Sequence, residues 1–350
     1  MPRVAVVGAA GFAGALCAAI VERHPSLRLV AVTARSDAGL RLDQVYPRHR
    51  VSLELEPFEA DRVAERADAA LVAYPHGASA PVVSQLVERG LKVVDLSADF
   101  RLERVRYEAA YGPHAAPALL GASVYGLPEI GHREAVRAAD LVAGPGCYPT
   151  AALLALWPLR ELAADAVVDA KSGVSGAGRE ATGTTHFVSV AENVNAYKVE
   201  GHRHRAELDQ ELAAPGFPIT FTPHLLPIDQ GLLVSCYVTP RRDLSLADVR
   251  ELFGDAYAGE PFVELAESPP GVRDVRETNL CRLHATVEPA TGRVLAFAAI
   301  DNLWKGAASQ AVQDLNLMLG LAEEEGLGPI AGAAGAPAPV GASPTEEIPP

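Results

Sequence analysis

The sequence predicts an α/β protein with a Rossmann-type, doubly wound parallel sheet, followed by a second α/β domain with a mixed or antiparallel sheet. In the first third of the chain, short apolar runs alternate with amphipathic segments, which is typical of βαβ units. The glycine-rich stretch GAAGFAG directly follows the first apolar run. Beyond about residue 165, strand-like runs follow one another, and two of them are joined by a turn at residues 290–292.

The predicted elements of the first domain alternate between strand and helix. In chain order they are a strand at RVAVVG, a helix to about His24, strands at LRLVAVTA and AALVAYP, a helix from about Ala80 to Arg89, and a strand at KVVDLS. The second domain is predicted to contain strands at AVVDAKSGVS, FPITFTPHLL, GLLVSCYVTP, LHATVEP and RVLAFAAID. A closing helix is predicted at KGAASQAVQDLNLMLGL, with one apolar face formed by Ala308, Val312, Leu315 and Leu319.

These elements divide the chain into two domains. We expect the first domain over residues 1–148, completed by the closing helix at about residues 303–325, and the second over residues 149–302. Residues 331–350 are rich in Ala, Gly and Pro and have no apolar period, so we expect a disordered tail.

Composition excludes several classes of function. The 350 residues are 49% hydrophobic and carry a net charge of -14, which repels nucleic acids and anionic lipid surfaces. We therefore expect no nucleic-acid partner and no membrane partner. Four cysteines lie far apart without a CxxC pair, which favours a reducing, cytoplasmic location and no cysteine zinc site. The apolar stretch near the amino terminus is interrupted by glycines at regular spacing, which argues against a signal peptide.

The glycine-rich stretch has the context of a dinucleotide site. It follows a predicted strand and begins a predicted helix, so its backbone can approach a pyrophosphate and offer N–H groups at the positive helix end. The spacing is GxxGxxG rather than GxGxxG, and close packing of helix on strand is the alternative interpretation. The predicted cofactor contacts in this turn are Gly8, Ala10, Gly11, Phe12, Ala13 and Gly14.

The end of the second predicted strand indicates which dinucleotide binds. NAD sites usually carry an acidic residue there for the ribose hydroxyls, whereas this chain has TARS. Arg35 can stack on adenine and pair with a 2′-phosphate, and Ser36 can donate to it, so the stretch favours NADP(H) over NAD(H). Asp37 nearby argues in the other direction.

The stretch GPGCYPTAALLAL places Cys147 at the entrance of a predicted helix. A helix amino terminus lowers the pKa of a cysteine, and Pro149 suits the first helical turn. Cys147 is therefore the candidate nucleophile. Cys17, Cys236 and Cys281 lie in apolar patterns and are predicted to be buried.

A cysteine nucleophile needs an acid–base partner, and the stretch GHRHRAEL contains the densest histidine cluster. His202 and His204 are the candidates. A zinc site and a basic surface patch are the alternatives, and the sequence pattern alone does not choose among them. Two further stretches have the character of anion sites: the small residues from Ser172 to Gly183, and Arg101, which follows a strand end and is equally suited to pairing with Asp95 or Asp99.

Taken in order from about residue 3 to residue 320, seven stretches resemble the N-acetyl-gamma-glutamyl-phosphate reductase family, NADP-dependent enzymes of arginine biosynthesis related to aspartate-semialdehyde dehydrogenase. They are GAAGFAG, DLSADFR, GPGCYPTAALLAL, SGVSGAGR, AYKVEGHRH, FTPHLLP and DNLWKGAASQAVQ. The resemblance implies reduction of an acyl phosphate by NADPH through a thioester on Cys147, with His202 favoured over His204 as the acid–base group. It also implies a cytoplasmic homodimer or homotetramer and no metal.

The resemblance extends to further site residues. It places Ser175, Gly176 and Asn302 at the cofactor, and Arg101, Ser172, Lys198 and Arg203 at the substrate carboxylate or phosphate. In a sister family that reduces carrier-bound aminoadipyl phosphate, an asparagine usually follows the cysteine, whereas Tyr148 follows it here. The aminoadipyl substrate, an aspartyl phosphate and a non-catalytic NADP-sensing protein are the alternative hypotheses.

Overall fold

The computed structural model describes residues 1–214 and 216–328, which form two seven-stranded sheets and the helices that pack on them. The predicted tail at residues 331–350 lies outside the described residues. The first unit consists, in chain order, of β1 (Arg3–Val7), α1 (Phe12–Arg23), β2 (Arg28–Thr33), α2 (Leu42–Val45), β3 (Leu55–Glu56), α3 (Ala60–Arg66), β4 (Ala69–Val72), α4 (Ala80–Val87), β5 (Lys92–Asp95), α5 (Arg104–Tyr111), β6 (Val124–Tyr125), α6 (Arg133–Ala138) and β7 (Leu141–Ala143).

The first sheet is parallel throughout, with the strand order β3-β2-β1-β4-β5-β7-β6. This order confirms the predicted doubly wound sheet. Alternate residues of β1 enter two different cores: Val4 and Val6 pack with α1, while Ala5 and Val7 pack with α4. Both faces of the central strands are therefore covered, which explains their continuous apolar sequences. The switch in strand order lies between β1 and β4, where open α/β sheets bind ligands at the carboxyl ends of their strands.

The second unit contains the mixed sheet that was predicted. Its elements are α7 (Cys147–Leu156), β8 (Ala163–Gly173), α8 (Phe187–Val190), β9 (Asn195–Ala196), α9 (Arg205–Glu211), β10 (Ile219–Leu226), β11 (Leu232–Pro240), α10 (Leu246–Ala256), β12 (Val263–Leu265), β13 (Cys281–Val287) and β14 (Val294–Ile300). The strand order is β12-β13-β14-β11-β8-β10-β9, with β8 parallel to β10 and antiparallel to β11. Helix α7 packs on β11 and β14, so the helix that begins at Cys147 is held by the core of this sheet.

The closing helix α11 (Ser309–Met318) follows a π-helical turn at Trp304–Ala308 and packs back onto α1, α6 and β5 of the first unit. Ala308, Val312 and Leu315 are buried as expected. The structure differs from the predicted one-sided helix, however, because every residue of α11 is buried. Its polar side chains are tolerated inside because they pair with one another or with buried groups, as Gln313 does with Lys305 and Glu129.

Cys17, Cys236 and Cys281 are buried, as predicted. None of the helices that the structure describes is both long enough and apolar enough to cross a bilayer.

Candidate active site

Cys147 lies at the carboxyl edge of the first sheet and is the first residue of α7. Gly146 precedes it in an extended conformation, and Pro149 occupies the first helical turn. The cysteine is only partly buried, unlike the other three. The π-helical turn lies against it so closely that a Cβ at Gly306 would be 2.8 Å from the Cβ of Cys147. The sulfur is therefore held at a helix start that packs against both units.

The two predicted histidines lie beside this helix start. The ring of His204 faces Gly146, since a Cβ there would be 2.7 Å from His204 Nε2. The backbone N–H of His204 donates to Nδ1 of His202 at 3.2 Å, and the two ring centres are 4.7 Å apart. Tyr148 packs edge-on against both rings. Both rings thus lie beside the residues that flank Cys147: the ring of His204 faces Gly146, and both rings pack against Tyr148.

The protonation states differ from those expected from the sequence. Burial raises the pKa of the Cys147 thiol to about 11 and outweighs the backbone N–H of Tyr148 and the positive charge of Arg101, which both lower it. Burial also lowers the pKa values of His202 and His204 to about 3; His204 and Lys198 lower that of His202 further, and Arg101 and Lys198 lower that of His204 further. The direction of the thiol pKa shift is therefore opposite to the lowered pKa expected from the helix start, and these shifts favour a neutral thiol beside neutral imidazoles.

A buried ion pair holds the loop that leads into Cys147. Glu207 accepts from the Gly146 N–H at 3.0 Å, from Tyr125 Oη at 2.8 Å and from Arg101 Nη1 at 3.1 Å. Arg101 also donates to the carbonyl oxygens of Gly144 and Leu96. The arginine thus pairs with Glu207 rather than with Asp95 or Asp99. The contact of Arg101 with substrate stays a prediction. The N–H groups of Arg101 that make none of these three hydrogen bonds would form it.

The glycine-rich turn between β1 and α1 has the backbone shape that a pyrophosphate requires. Gly8 adopts a φ of +90°, and a Cβ on it would lie 2.7 Å from the carbonyl oxygen of Ala73. A Cβ on Gly14 would lie 2.3 Å from the carbonyl oxygen of Gly8. Helix α1 begins at Phe12 without a side-chain cap, so its first N–H groups point out of the helix end and can meet an anion. The turn therefore fits a dinucleotide.

The residues after β2 lie at the same edge. Arg35 stacks over the ring of Tyr74, with 5.0 Å between its Cζ atom and the ring centre. Asp37 has a φ of +62° and accepts a hydrogen bond from Arg179. The predicted recognition residues are thus adjacent to a carboxylate.

The predicted contacts from the second unit converge at the carboxyl end of β8. The side chain of Asn302 donates to Ser175 Oγ at 3.0 Å and accepts from the Gly231 N–H at 2.8 Å. A Cβ on Gly176 would lie 3.2 Å from Ser172 Oγ and 3.5 Å from the amide nitrogen of Asn302. These four predicted side chains and backbone positions therefore form one cluster, and the buried Asn302 is oriented before any ligand arrives.

Lys198 and Arg203 are exposed near the histidines. Arg203 donates to Nε2 of His76 at 2.5 Å and stacks over the ring of Tyr111. Lys198 has a φ of +46°. Their positive charges contribute to lowering the pKa of His76, after burial. This corner of the site is therefore positively charged within an acidic protein.

The zinc alternative for the histidines receives no support from the geometry. Within residues 1–214 and 216–328, the group of potential ligand atoms within 4.8 Å of one another is formed by Glu129, Glu260 and Glu323 and includes neither histidine. Arg133 and Lys305 already pair with these carboxylates.

Three residues that position the site were missed at the level of the sequence: Glu207, Gly306 and Arg179. Glu207 lies within the quoted stretch GHRHRAEL, and its position three residues after His204, on the same side of a helix, was a usable signal. Gly306 and Arg179 act through contacts with distant parts of the chain, for which no local pattern exists.

A partly buried cysteine, two histidines and a dinucleotide turn at the carboxyl edge of one sheet are typical of an oxidoreductase that combines a cysteine nucleophile with a nicotinamide cofactor. The comparison with known families agrees. Residues 3–139 match the family model described as semialdehyde dehydrogenase, NAD binding domain, and residues 147–302 match the one described as semialdehyde dehydrogenase, dimerisation domain.

Curated relatives identify the family within this class of oxidoreductases. The chain is 47% identical over 338 residues to the N-acetyl-gamma-glutamyl-phosphate reductase of Moorella thermoacetica, covering 92% of this chain and 97% of that protein. It is 45% identical over 342 residues to the protein of the same name from Desulforudis audaxviator, covering 93% and 98%. The chain belongs to the N-acetyl-gamma-glutamyl-phosphate reductase family.

Solved structures show the same fold at low sequence identity. Aspartate semialdehyde dehydrogenase II from Vibrio cholerae superposes with a TM-score of 0.70 at 19% identity, covering 91% of this chain and 98% of that one. The aspartate semialdehyde dehydrogenase from Candida albicans, solved with NADP, gives a TM-score of 0.69 at 14% identity, covering 91% and 98%.

Proposed function

We propose that this chain reduces N-acetyl-L-glutamyl 5-phosphate to N-acetyl-L-glutamate 5-semialdehyde and phosphate in arginine biosynthesis, with NADPH as the reductant. The observation that carries the proposal is the position of Cys147. The cysteine begins α7 beside two histidines, at the edge of the sheet that also carries the dinucleotide turn. The identity of 47% to a reductase of that name supports the substrate.

The first step forms a thioester. A neutral imidazole takes the proton of the Cys147 thiol: His202 is the base that the family resemblance favours, and His204, whose ring faces Gly146, is the alternative. The sulfur attacks the acyl carbon, a C–S bond forms, and the bond between that carbon and the phosphate oxygen breaks. The imidazole then gives its proton to the departing phosphate. N–H groups at the start of α7 face the developing oxyanion, and one such donor contributes about 3 kcal/mol in other enzymes.

The second step reduces the thioester. The bound nicotinamide cofactor supplies a hydride to the thioester carbon. The chain's own part is to hold the resulting alkoxide on the sulfur and then release it: the C–S bond breaks, the aldehyde leaves, and the histidine returns a solvent proton to Cys147. Asn302, which is fixed by Ser175 and Gly231, would help to hold the nicotinamide end of the cofactor.

We assign NADP(H) rather than NAD(H) on the basis of Arg35 and Ser36. The guanidinium of Arg35 is stacked on Tyr74 after β2, where the adenosine ribose of a dinucleotide lies in this class of sheet. A planar guanidinium pairs with a phosphate in a bidentate manner, and a hydroxyl adds a further donor.

We propose that the protein assembles as a homo-oligomer through the outer face of the second sheet. Alternate residues on that face are only partly buried and form a continuous apolar row of Val167, Tyr237 and Leu295 across three neighbouring strands. A second copy of the same face is the occupant that a dimerisation domain implies. Because the mechanism requires a reduced Cys147, we place the enzyme in the reducing cytoplasm.

The test is the initial rate of NADP⁺ reduction with N-acetylglutamate semialdehyde, with and without inorganic phosphate. We expect a rate that depends on phosphate and disappears in Cys147→Ala, while Cys17→Ala, a buried cysteine outside the site, retains it. Turnover by Cys147→Ala contradicts the mechanism. A higher kcat/KM on the carrier-bound aminoadipate semialdehyde, or on aspartate semialdehyde, contradicts the substrate. Binding of NADP⁺ without turnover on any of the three favours a non-catalytic sensor.

A further inference from the structure

Arg179 reaches from the second unit to the dinucleotide site of the first. It follows the stretch Ser175–Gly176 that lies beside Asn302. Its Nη1 atom donates to the carbonyl oxygen of Ala10 at 3.0 Å and to the carboxylate of Asp37 at 2.5 Å. Its guanidinium also lies over the ring of Tyr46, whose hydroxyl donates to the same Ala10 oxygen. One side chain thus joins the glycine turn to the residues after β2.

The partner of Arg179 is a carboxylate in an unfavourable place for NADP. Asp37 lies two residues after Arg35, so its carboxylate is close in the chain to the residues proposed to bind the 2′-phosphate. A phosphate monoester carries about −1.5 to −2 charges at neutral pH, so an uncompensated Asp37 would repel it. The pKa of Asp37 is lowered, chiefly by the hydrogen bond from Arg179, so the carboxylate is charged at neutral pH.

The charges around this point are balanced by Arg179. Arg35 and Asp37 together carry no net charge, whereas the three side chains together carry one positive charge. The ion pair is partly open to solvent, with 39% of the Arg179 side chain and 24% of the Asp37 side chain exposed, so it contributes little to the stability of the fold. Its effect is therefore expected on an anion that binds beside it rather than on folding.

We propose that Arg179 is a cofactor-specificity residue, which favours NADP(H) over NAD(H) by neutralising Asp37 and placing a second guanidinium beside the 2′-phosphate. The inference rests on the proposed NADP specificity and extends it to a residue of the other structural unit. Because the same segment supplies Ser175 and Gly176, it contacts the dinucleotide site at two separate places.

The test measures dissociation constants of NADP⁺ and NAD⁺ by titration calorimetry on the purified protein, without substrate. For Arg179→Ala we expect NADP⁺ to bind roughly tenfold more weakly while NAD⁺ binding stays unchanged or tightens. Adding Asp37→Asn to that variant is expected to restore much of the loss, because the repelling charge is then absent. Arg41→Ala is the matched control, since Arg41 also pairs with an exposed aspartate, Asp43, on the first unit.

Two outcomes for Arg179→Ala overturn the inference. If the affinities for NADP⁺ and NAD⁺ fall equally, Arg179 has a general structural role. If both affinities stay unchanged, Arg179 has no role in binding the cofactor. Arg35→Ala distinguishes this failure from a failure of the proposed cofactor. If the unmodified protein prefers NADP⁺ and Arg35→Ala removes the preference while Arg179→Ala does not, only the role of Arg179 is wrong. If the unmodified protein shows no preference, both are wrong.

Discussion

Substituting Gly306 by alanine tests whether the π-helical turn positions the reactive sulfur. The added methyl group would lie 2.8 Å from the Cβ of Cys147 and 3.3 Å from the carbonyl oxygen of Asp301. Ordinary contact begins at 3.4 Å, so the turn and the start of α7 must separate by roughly 0.6 Å. Neither side can yield freely, because Lys305 of the turn is fully buried and α7 packs in the core.

The displacement should affect chemistry more than folding. A misplacement of the reacting atoms by about 1 Å can cost on the order of 100-fold in rate, so we expect kcat/KM to fall by about that factor. Overpacking typically costs about 1–3 kcal/mol, so the variant should remain folded with a lowered free energy of unfolding.

The assay is NADP⁺ reduction with the semialdehyde and phosphate, together with denaturant unfolding. Gly254→Ala is the control, because that glycine lies within α10 and nothing lies within 4 Å of its added Cβ. The control should keep its activity and gain about 0.5–1 kcal/mol of stability. A Gly306→Ala enzyme with kcat/KM within twofold of the unmodified enzyme would refute the claim that this contact positions Cys147.

Three further predictions concern charge. Glu207→Gln should lower the free energy of unfolding by about 3 kcal/mol or more, because Arg101 loses its buried charged partner. Glu134→Gln is the control, since Glu134 pairs with Arg137 at the surface, and it should leave the free energy of unfolding unchanged. Equal unfolding midpoints for the two variants would contradict this prediction. Alkylation of Cys147 by iodoacetamide in the ligand-free protein should still accelerate between pH 8 and pH 10, since the thiol pKa is about 11, and a plateau at pH 8 would contradict it. Stability should fall as the pH drops from 6.5 towards 3, because His202 and His204 take up protons in the unfolded chain first, and His204→Gln should flatten the measured slope.

The sequence predicted the parts of the fold and site that depend on local patterns. β1, the glycine turn and α1 are specified by an apolar run, by spaced glycines and by a helix without Gly or Pro after its first turn. The position of Cys147 at a helix start followed in the same way from Gly146 and Pro149. Such features are set by neighbours within a few residues, so a single sequence contains them.

What the sequence did not predict depends on tertiary contacts. Glu207 is separated from Arg101 by 106 positions, and Arg179 from Ala10 by 169. The burial of every residue of α11 likewise requires both units to be present. The pKa of Cys147 was predicted in the wrong direction because the helix start is a local feature, whereas the burial that outweighs it is not.

A neutral thiol and neutral imidazoles suit an anionic substrate. An acyl phosphate with an added carboxylate carries several negative charges, and a preformed thiolate would repel them at close range in a poorly solvated site. A neutral Cys147 thiol beside neutral His202 and His204 avoids this repulsion, while the cations nearby, Arg203 and Lys198, still attract the substrate. Because the thiol proton then has to leave during the attack, the base that removes it must already contact the start of α7. The ring of His204 faces Gly146 and the ring of His202 packs against Tyr148, so both proposed bases lie beside this helix start.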